Sequence, residues 1–147
     1  MLSLVIPCFN EEKNLNKLLD CIDLLYKKYS EERIEVILVD NGSTDNSNEL
    51  IKKNKLFLDK KINLIEIKKN DGYGDGITKG ISSCTGNFVA WCHADLQADL
   101  EDIIEIFLKS KQKLKNEDCI IKGKRINRGI FDAIFTSGMT VLTFLLF

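Results

Sequence analysis

Proline and histidine occur once each in 147 residues, and neither sign of charge prevails: 21 basic against 22 acidic side chains leave a formal net charge of −1. That balance supplies no field to draw in a nucleic acid, so a nucleic-acid partner gains no support from charge. There is no CxxC pair and no zinc-finger spacing. The five cysteines, Cys8, Cys21, Cys84, Cys92 and Cys119, are scattered and odd in number, which fits small core residues in a reducing compartment. With His93 the lone imidazole and no GxSxG elbow, covalent hydrolase chemistry lacks its parts. No apolar run approaches the roughly 20 residues of a membrane-spanning helix. The run LSLVI stops at Pro7, too early for a secretory signal, and the run from Met139 to Phe147 has only nine residues.

What is present suits a compact soluble domain: 44% of residues are hydrophobic and 29% charged. One domain over residues 1–147 is expected, in the cytosol. The chain ends on MTVLTFLLF without a polar cap or glycine stop, so truncation at the C-terminus is expected as well.

Apolar runs at 2–6, 34–39, 62–67, 88–92 and 119–122 read as five strands. Between them Leu15, Leu18, Leu19, Ile22, Leu25 and Tyr26 repeat at helical spacing, as do Leu100, Ile103, Ile104, Phe107 and Leu108. Thr44 or Asp45 is the expected cap of a polar helix through about Lys53, and a glycine-rich loop leads into a helix through Ser83. Alternating strands and helices predict an α/β fold with a mostly parallel central sheet. In such sheets ligands lie beyond the carboxyl ends of the strands, which directs attention to residues 7–11, 40–43, 70–76, 93–97 and 123–128.

Each of these segments admits a chemical and a structural reading. If the extended backbone continues past Trp91, His93, Asp95 and Gln97 project to one side and could ligate Mn²⁺ or Mg²⁺; otherwise Asp95 or Asp99 is a helix cap. The glycines of NDGYGDG could cradle phosphates, but Ile77 stands where a dinucleotide fingerprint needs glycine, and a tight turn with close helix–sheet approach is the alternative. KGKRINRG carries four cations, either a solvated loop or a clamp in which Arg125 forks a diphosphate and Lys124 or Arg128 adds charge. Asp40 could accept from a ribose or base, or begin an Asx turn.

Taken together, VIPCFNEEKNL, VDNGSTDNS, the glycine loop and WCHADLQADLEDI resemble, in order and spacing, the family 2 glycosyltransferases of the A-type, Rossmann-like nucleotide-sugar fold. The nearest branch is that of dolichyl-phosphate mannose synthase and the bacterial polyprenyl-phosphate glycosyltransferases. The likeness runs from Leu2 to about Gly138. It implies that Pro7, Phe9 and Glu11 line a nucleoside pocket and that Asp40 binds base or ribose. Cys92 and Ala94 would border the donor, His93, Asp95 and Gln97 would hold Mn²⁺ or Mg²⁺, and Lys124 and Arg125 would contact phosphate. Asp95 and Arg125 are the implied catalytic pair.

Two positions depart from the pattern: His93 fills the first place of the family's DxD, and Asp132 stands where a phosphate-binding arginine is expected. The family displaces a nucleoside diphosphate with inversion at the anomeric carbon. A sugar hydroxyl acceptor needs a general base, whereas a polyprenyl phosphate is already ionised at neutral pH. No late base is evident, so the expected reaction is transfer from a UDP- or GDP-sugar to a polyprenyl (dolichyl or undecaprenyl) phosphate, with peripheral contact at the inner face of the membrane. The alternatives are transfer to a saccharide hydroxyl in surface polysaccharide or lipopolysaccharide, and a non-catalytic nucleotide-sugar binding domain.

Overall fold

The computed structural model describes residues 1–116 and 119–123. The chain divides into two compact units, Met1–Asn116 and Glu117–Phe147. The first contains β1 (Leu2–Cys8), α1 (Glu12–Lys28), β2 (Ile34–Asn41), α2 (Ser47–Lys53), α3 (Lys55–Leu58), β3 (Ile62–Ile67), α4 (Tyr73–Ser82), β4 (Phe88–Trp91) and α5 (Leu100–Asn116). The four strands form one parallel sheet in the order β3-β2-β1-β4, with Val5 level with both Ile37 and Trp91. Every residue of β1 is buried, as the twofold-covered centre of a parallel sheet requires.

Strand periodicity splits the core in two. Leu2, Leu4, Ile6 and Cys8 join Val36 and Leu38 in packing on Leu15, Leu18, Leu19 and Ile22 of α1 and on Ile104 and Phe107 of α5. On the opposite face Val5, Ile37, Val39 and Ile67 form a smaller cluster, against which α4 presents Gly80. Pro7 extends β1 beyond the expected end at Ile6. Val5 accepts a hydrogen bond from the backbone of Cys92, so by strand parity the nitrogen of Pro7 faces the β4 side, where β4 has already ended. A missing N–H there interrupts no ladder.

The short helix α3 had no counterpart among the expected elements. Conversely CIIK at 119–122, expected as a fifth strand, takes no regular secondary structure. A strand exists by pairing, and an apolar run alone does not provide a partner.

At the opposite end of the sheet from the strand carboxyl termini, a polar clamp fixes the approach to β4. Ser3 donates to Glu35 Oε2 at 2.5 Å and accepts the Gly86 N–H at 2.9 Å, while Thr85 gives both its N–H and its hydroxyl to the same carboxylate at 3.0 Å. Burial pushes the Glu35 carboxyl up, but these hydrogen bonds from Ser3 and Thr85 outweigh it and hold it below its ordinary value. A carboxylate with a depressed folded-state pKa contributes stability above its unfolded pKa and loses that contribution as pH falls through the folded one. Glu35→Gln is therefore expected to lower the urea midpoint at neutral pH, and the gap to wild type should close below about pH 4. A gap that persists unchanged in acid would assign the effect to packing instead.

Candidate functional site

The carboxyl ends of β1 and β2, the start of α4 and the segment after β4 enclose a cleft of about 290 Å³. Pro7, Cys8, Phe9 and Glu11 form one wall, Asn41, Asn70 and Tyr73 a second, and His93 with Ala94 closes it. Of the expected site residues, Pro7, Phe9, Glu11, His93 and Ala94 line the cleft together. Asp40, Cys92, Asp95 and Gln97 do not line it, and Lys124 and Arg125, with Arg128 and Asp132, lie outside the described residues.

The two loops that carry the N-terminal motifs are laced to each other. Asn10, at φ 56°, donates its N–H to Ser43 Oγ, and its side-chain oxygen accepts the Thr44 N–H at 2.8 Å. Helix α1 has no capping side chain of its own. Instead the N–H groups of Glu11 and Glu12 donate to Ser47 Oγ at 3.0 Å and Asp45 Oδ2 at 3.1 Å. Thus the orphan donors of one helix are satisfied by side chains more than thirty residues later in sequence. Thr44 or Asp45 was the expected cap of α2; the cap position is Asn46, which makes no side-chain cap bond, and Asp45 Oδ1 accepts the N–H of Ser47, the first helical residue, at 3.0 Å.

Asp40 is 5% exposed and commits both oxygens: Oδ1 accepts the Ser43 N–H at 3.0 Å and Oδ2 the Asn48 amide at 2.7 Å. Of its two sequence readings the structural one is present in kind, as a side-chain-to-backbone bond that closes at Ser43, one residue beyond an Asx turn. Its neighbour Asn41 is the one that reaches the cleft. Asn41 is 2% exposed and its Nδ2 donates to Asn70 Oδ1 and to the Gly72 carbonyl at 2.9 Å, bracing the end of β2 against the start of α4. Its Oδ1 is buried with no partner among the described residues. The brace needs the backbone of Gly42, at φ 77°, because a Cβ there would lie 2.8 Å from the Asn70 nitrogen.

After β4 the chain does not stay extended. It turns at residues 94–95, Leu96 takes φ 59°, and the Gln97 N–H folds back to Asp95 Oδ1 at 3.0 Å. The alternation that would have aligned His93, Asp95 and Gln97 on one side is thus broken by a turn. His93 is held differently: its ring stacks on Tyr73, centroids 4.1 Å apart and planes 1° from parallel. Burial, then the nearby Cys92 and Asp95, raise the Tyr73 phenol to about 12. Burial followed by Asp95 likewise raises the Cys92 thiol to about 12, and burial with Glu11 and Asp40 pushes Cys8 up further. Neither thiol is a nucleophile near neutral pH.

Among the described residues no three His, Cys, Asp or Glu side chains converge as a closed metal cage. The donor types expected after β4, one imidazole, one carboxylate and one amide, are ones a hard cation accepts, but of the three only His93 lines the cleft. The residues lining the cleft include no lysine or arginine, so the described wall offers no fixed cation to a bound anion.

Cys8, Asn41, Asn70 and Tyr73 were not singled out from the sequence as site residues. For all four the signal was available, since 8, 41, 70 and 73 lie within the strand-end segments that the carboxyl-edge rule marks.

Residues 3–134 match the family model described as glycosyl transferase family 2. Over 136 residues the chain is 32% identical to a dodecaprenyl-phosphate galacturonate synthase of Rhizobium johnstonii, covering 88% of this chain and 38% of that protein. It is 36% identical over 101 residues to an undecaprenyl-phosphate 4-deoxy-4-formamido-L-arabinose transferase of Proteus mirabilis, covering 69% and 31%. The chain therefore spans about a third of the length of these relatives. Among solved structures, Staphylococcus aureus TarS residues 1–349 superposes with a TM-score of 0.63 at 19% identity, covering 88% of this chain and 39% of that one. The mannosyltransferase PcManGT of Pyrobaculum calidifontis, solved with GDP-Man and Mn²⁺, superposes at 0.61 and 21% identity, covering 74% and 31%. These likenesses establish the A-type glycosyltransferase fold expected from the sequence.

Proposed function

The chain belongs to glycosyl transferase family 2, and from that premise we propose that it carries the donor-binding half of a reaction moving a sugar from a UDP- or GDP-sugar to a polyprenyl phosphate. The observation that carries this reading is the cleft itself, walled by Pro7, Phe9 and Glu11 on one side and closed by His93, at the carboxyl edge of a parallel sheet. The cleft supplies aromatic and amide surface for a nucleoside: Phe9 is 45% exposed at its rim, and Asn41 retains a free acceptor.

In the proposed reaction an ionised acceptor oxygen attacks the anomeric carbon from the face opposite the nucleotide. The new carbon–oxygen bond forms as the bond to the diphosphate breaks, inverting the centre, and the electron pair leaves on the nucleoside diphosphate. That product gains charge in a cleft whose described lining holds no lysine or arginine. A divalent ion, Mn²⁺ or Mg²⁺, would neutralise it when bound. On the family resemblance His93, Asp95 and Gln97 are the residues that would hold the ion, and Lys124 and Arg125, outside the described residues, are the sequence's candidates for contacting phosphate. Among the described residues no helix is long and apolar enough to cross a membrane. The proposed lipid acceptor implies contact with the cytosolic face of the membrane, for which the apolar run 139–147 is a candidate by sequence.

Incubating the chain with labelled UDP- and GDP-sugars and either undecaprenyl phosphate in detergent or a saccharide acceptor tests the reading. Label is expected in the butanol-extractable lipid, dependent on a divalent cation. Label in the saccharide alone would transfer the assignment to polysaccharide synthesis, and nucleotide binding without transfer to either acceptor would make this a binding domain.

A further inference from the structure

The His93 imidazole makes no hydrogen bond to any described residue; its defined neighbour is the face of Tyr73. An imidazole at the rim of an open cleft is free to rotate about two side-chain bonds, and each rotamer aims its nitrogens elsewhere. Stacking removes that freedom by fixing the ring plane. Imidazole donates, accepts and ligates only in its plane, so a ring held by its face is set for contact at its edge.

Tyr73 is itself anchored. It is the first residue of α4, directly after Gly72, whose carbonyl accepts from Asn41 and whose N–H donates to Asn70 Oδ1 at 2.8 Å. Asn41 thereby ties the end of β2 to the start of α4, and the ring pair ties α4 to the segment after β4. The phenol hydroxyl has no hydrogen-bond partner among the described residues, which leaves the ring as the working part.

We propose that Tyr73 is a positioning residue whose ring holds the His93 imidazole edge-on to the diphosphate of the bound donor, so that its aromatic area rather than its hydroxyl carries the effect. This rests on the nucleotide-sugar reading above. Because His93 is the chain's one histidine, its ring protons give a single pair of signals in the spectrum of the ligand-free protein. Stacking on Tyr73 displaces them upfield; Tyr73→Leu is expected to remove the displacement and Tyr73→Phe to restore it.

In titrations with UDP and GDP in Mn²⁺, Tyr73→Leu should weaken binding about fivefold, and Tyr73→Phe should recover most of that loss. His93→Ala should cost less on top of Tyr73→Leu than it does in the wild-type background, the non-additivity that the proposal requires. Additive losses, or a Tyr73→Phe variant as weak as Tyr73→Leu, overturn the positioning role while the nucleotide reading stands. Wild-type protein that binds neither nucleotide overturns both. A far-UV spectrum and urea midpoint for Tyr73→Leu separate misfolding from loss of positioning; if Tyr73→Leu misfolds, Tyr73→Phe decides, since binding kept with the ring upholds the proposal and binding lost with the hydroxyl overturns it.

Discussion

Gly80→Ala is expected to destabilise the domain by about 3 kcal/mol or more, at the upper end of what overpacking a core costs. A Cβ at Gly80 would lie 2.2 Å from Val5 Cγ1 and 3.0 Å from Val39 Cγ2. Both valines are fully buried in the central strands, and a β-branched side chain has little rotamer freedom with which to yield. The remaining response is for α4 to lift from the sheet. That exposes Val5, Ile37 and Val39 and pulls at Gly76, where a Cβ would already be only 3.3 Å from Asn41 and Pro7. A urea titration should show the midpoint falling at an unchanged slope. The control lies in the same helix: at Gly74 an added methyl meets nothing within 4 Å, so Gly74→Ala should hold or raise the midpoint. Equal midpoints for the two variants would show that α4 does not pack as described.

Asp95→Asn is expected to lower transfer on the order of a hundredfold in Mn²⁺ and to weaken nucleoside diphosphate binding with it. The substitution is chosen because asparagine keeps the side-chain oxygen that accepts the Gln97 N–H, so the turn after β4 survives and only charge is removed. The sign of the binding change is diagnostic. A carboxylate facing phosphates across water repels them, so without a shared cation its neutralisation tightens binding. With a cation between them, the same change loosens it. Titration of both proteins with UDP and GDP, in Mn²⁺ and then in chelator, should therefore show weaker binding by the variant in the first and none of that penalty in the second. Indistinguishable affinities in Mn²⁺ would remove Asp95 from the donor site.

Most of the architecture was legible because it depends on local pattern. The run at 34–39 reads as apolar on both faces, which a covered parallel sheet accommodates, and the run at 62–67 as a strand; both became strands, the second at the sheet edge. The carboxyl-edge rule then found each segment that lines the cleft. Three features were not legible, each for a physical reason. CIIK has strand composition, but pairing is non-local and sequence does not name a partner. Asp40 and Asn41 are adjacent in a strand and so face opposite sides; choosing between them required knowing which side holds the cleft. Leu96 adopts a left-handed backbone that a branched side chain does not advertise, and with it the presumed alignment of His93, Asp95 and Gln97 gave way to a turn.

The lacing of α1 to the β2–α2 loop has a consequence for where anions are received. In many nucleotide-binding α/β proteins the helix following the first strand greets the pyrophosphate with its free amides. Here the amides of Glu11 and Glu12 already serve Ser47 and Asp45, and three carboxylates crowd that helix entrance. The positive pole is spoken for, so on the proposed reading the donor must lie with its phosphates toward β4 and its nucleoside toward β1, a polarity imposed by the scaffold before any ligand arrives.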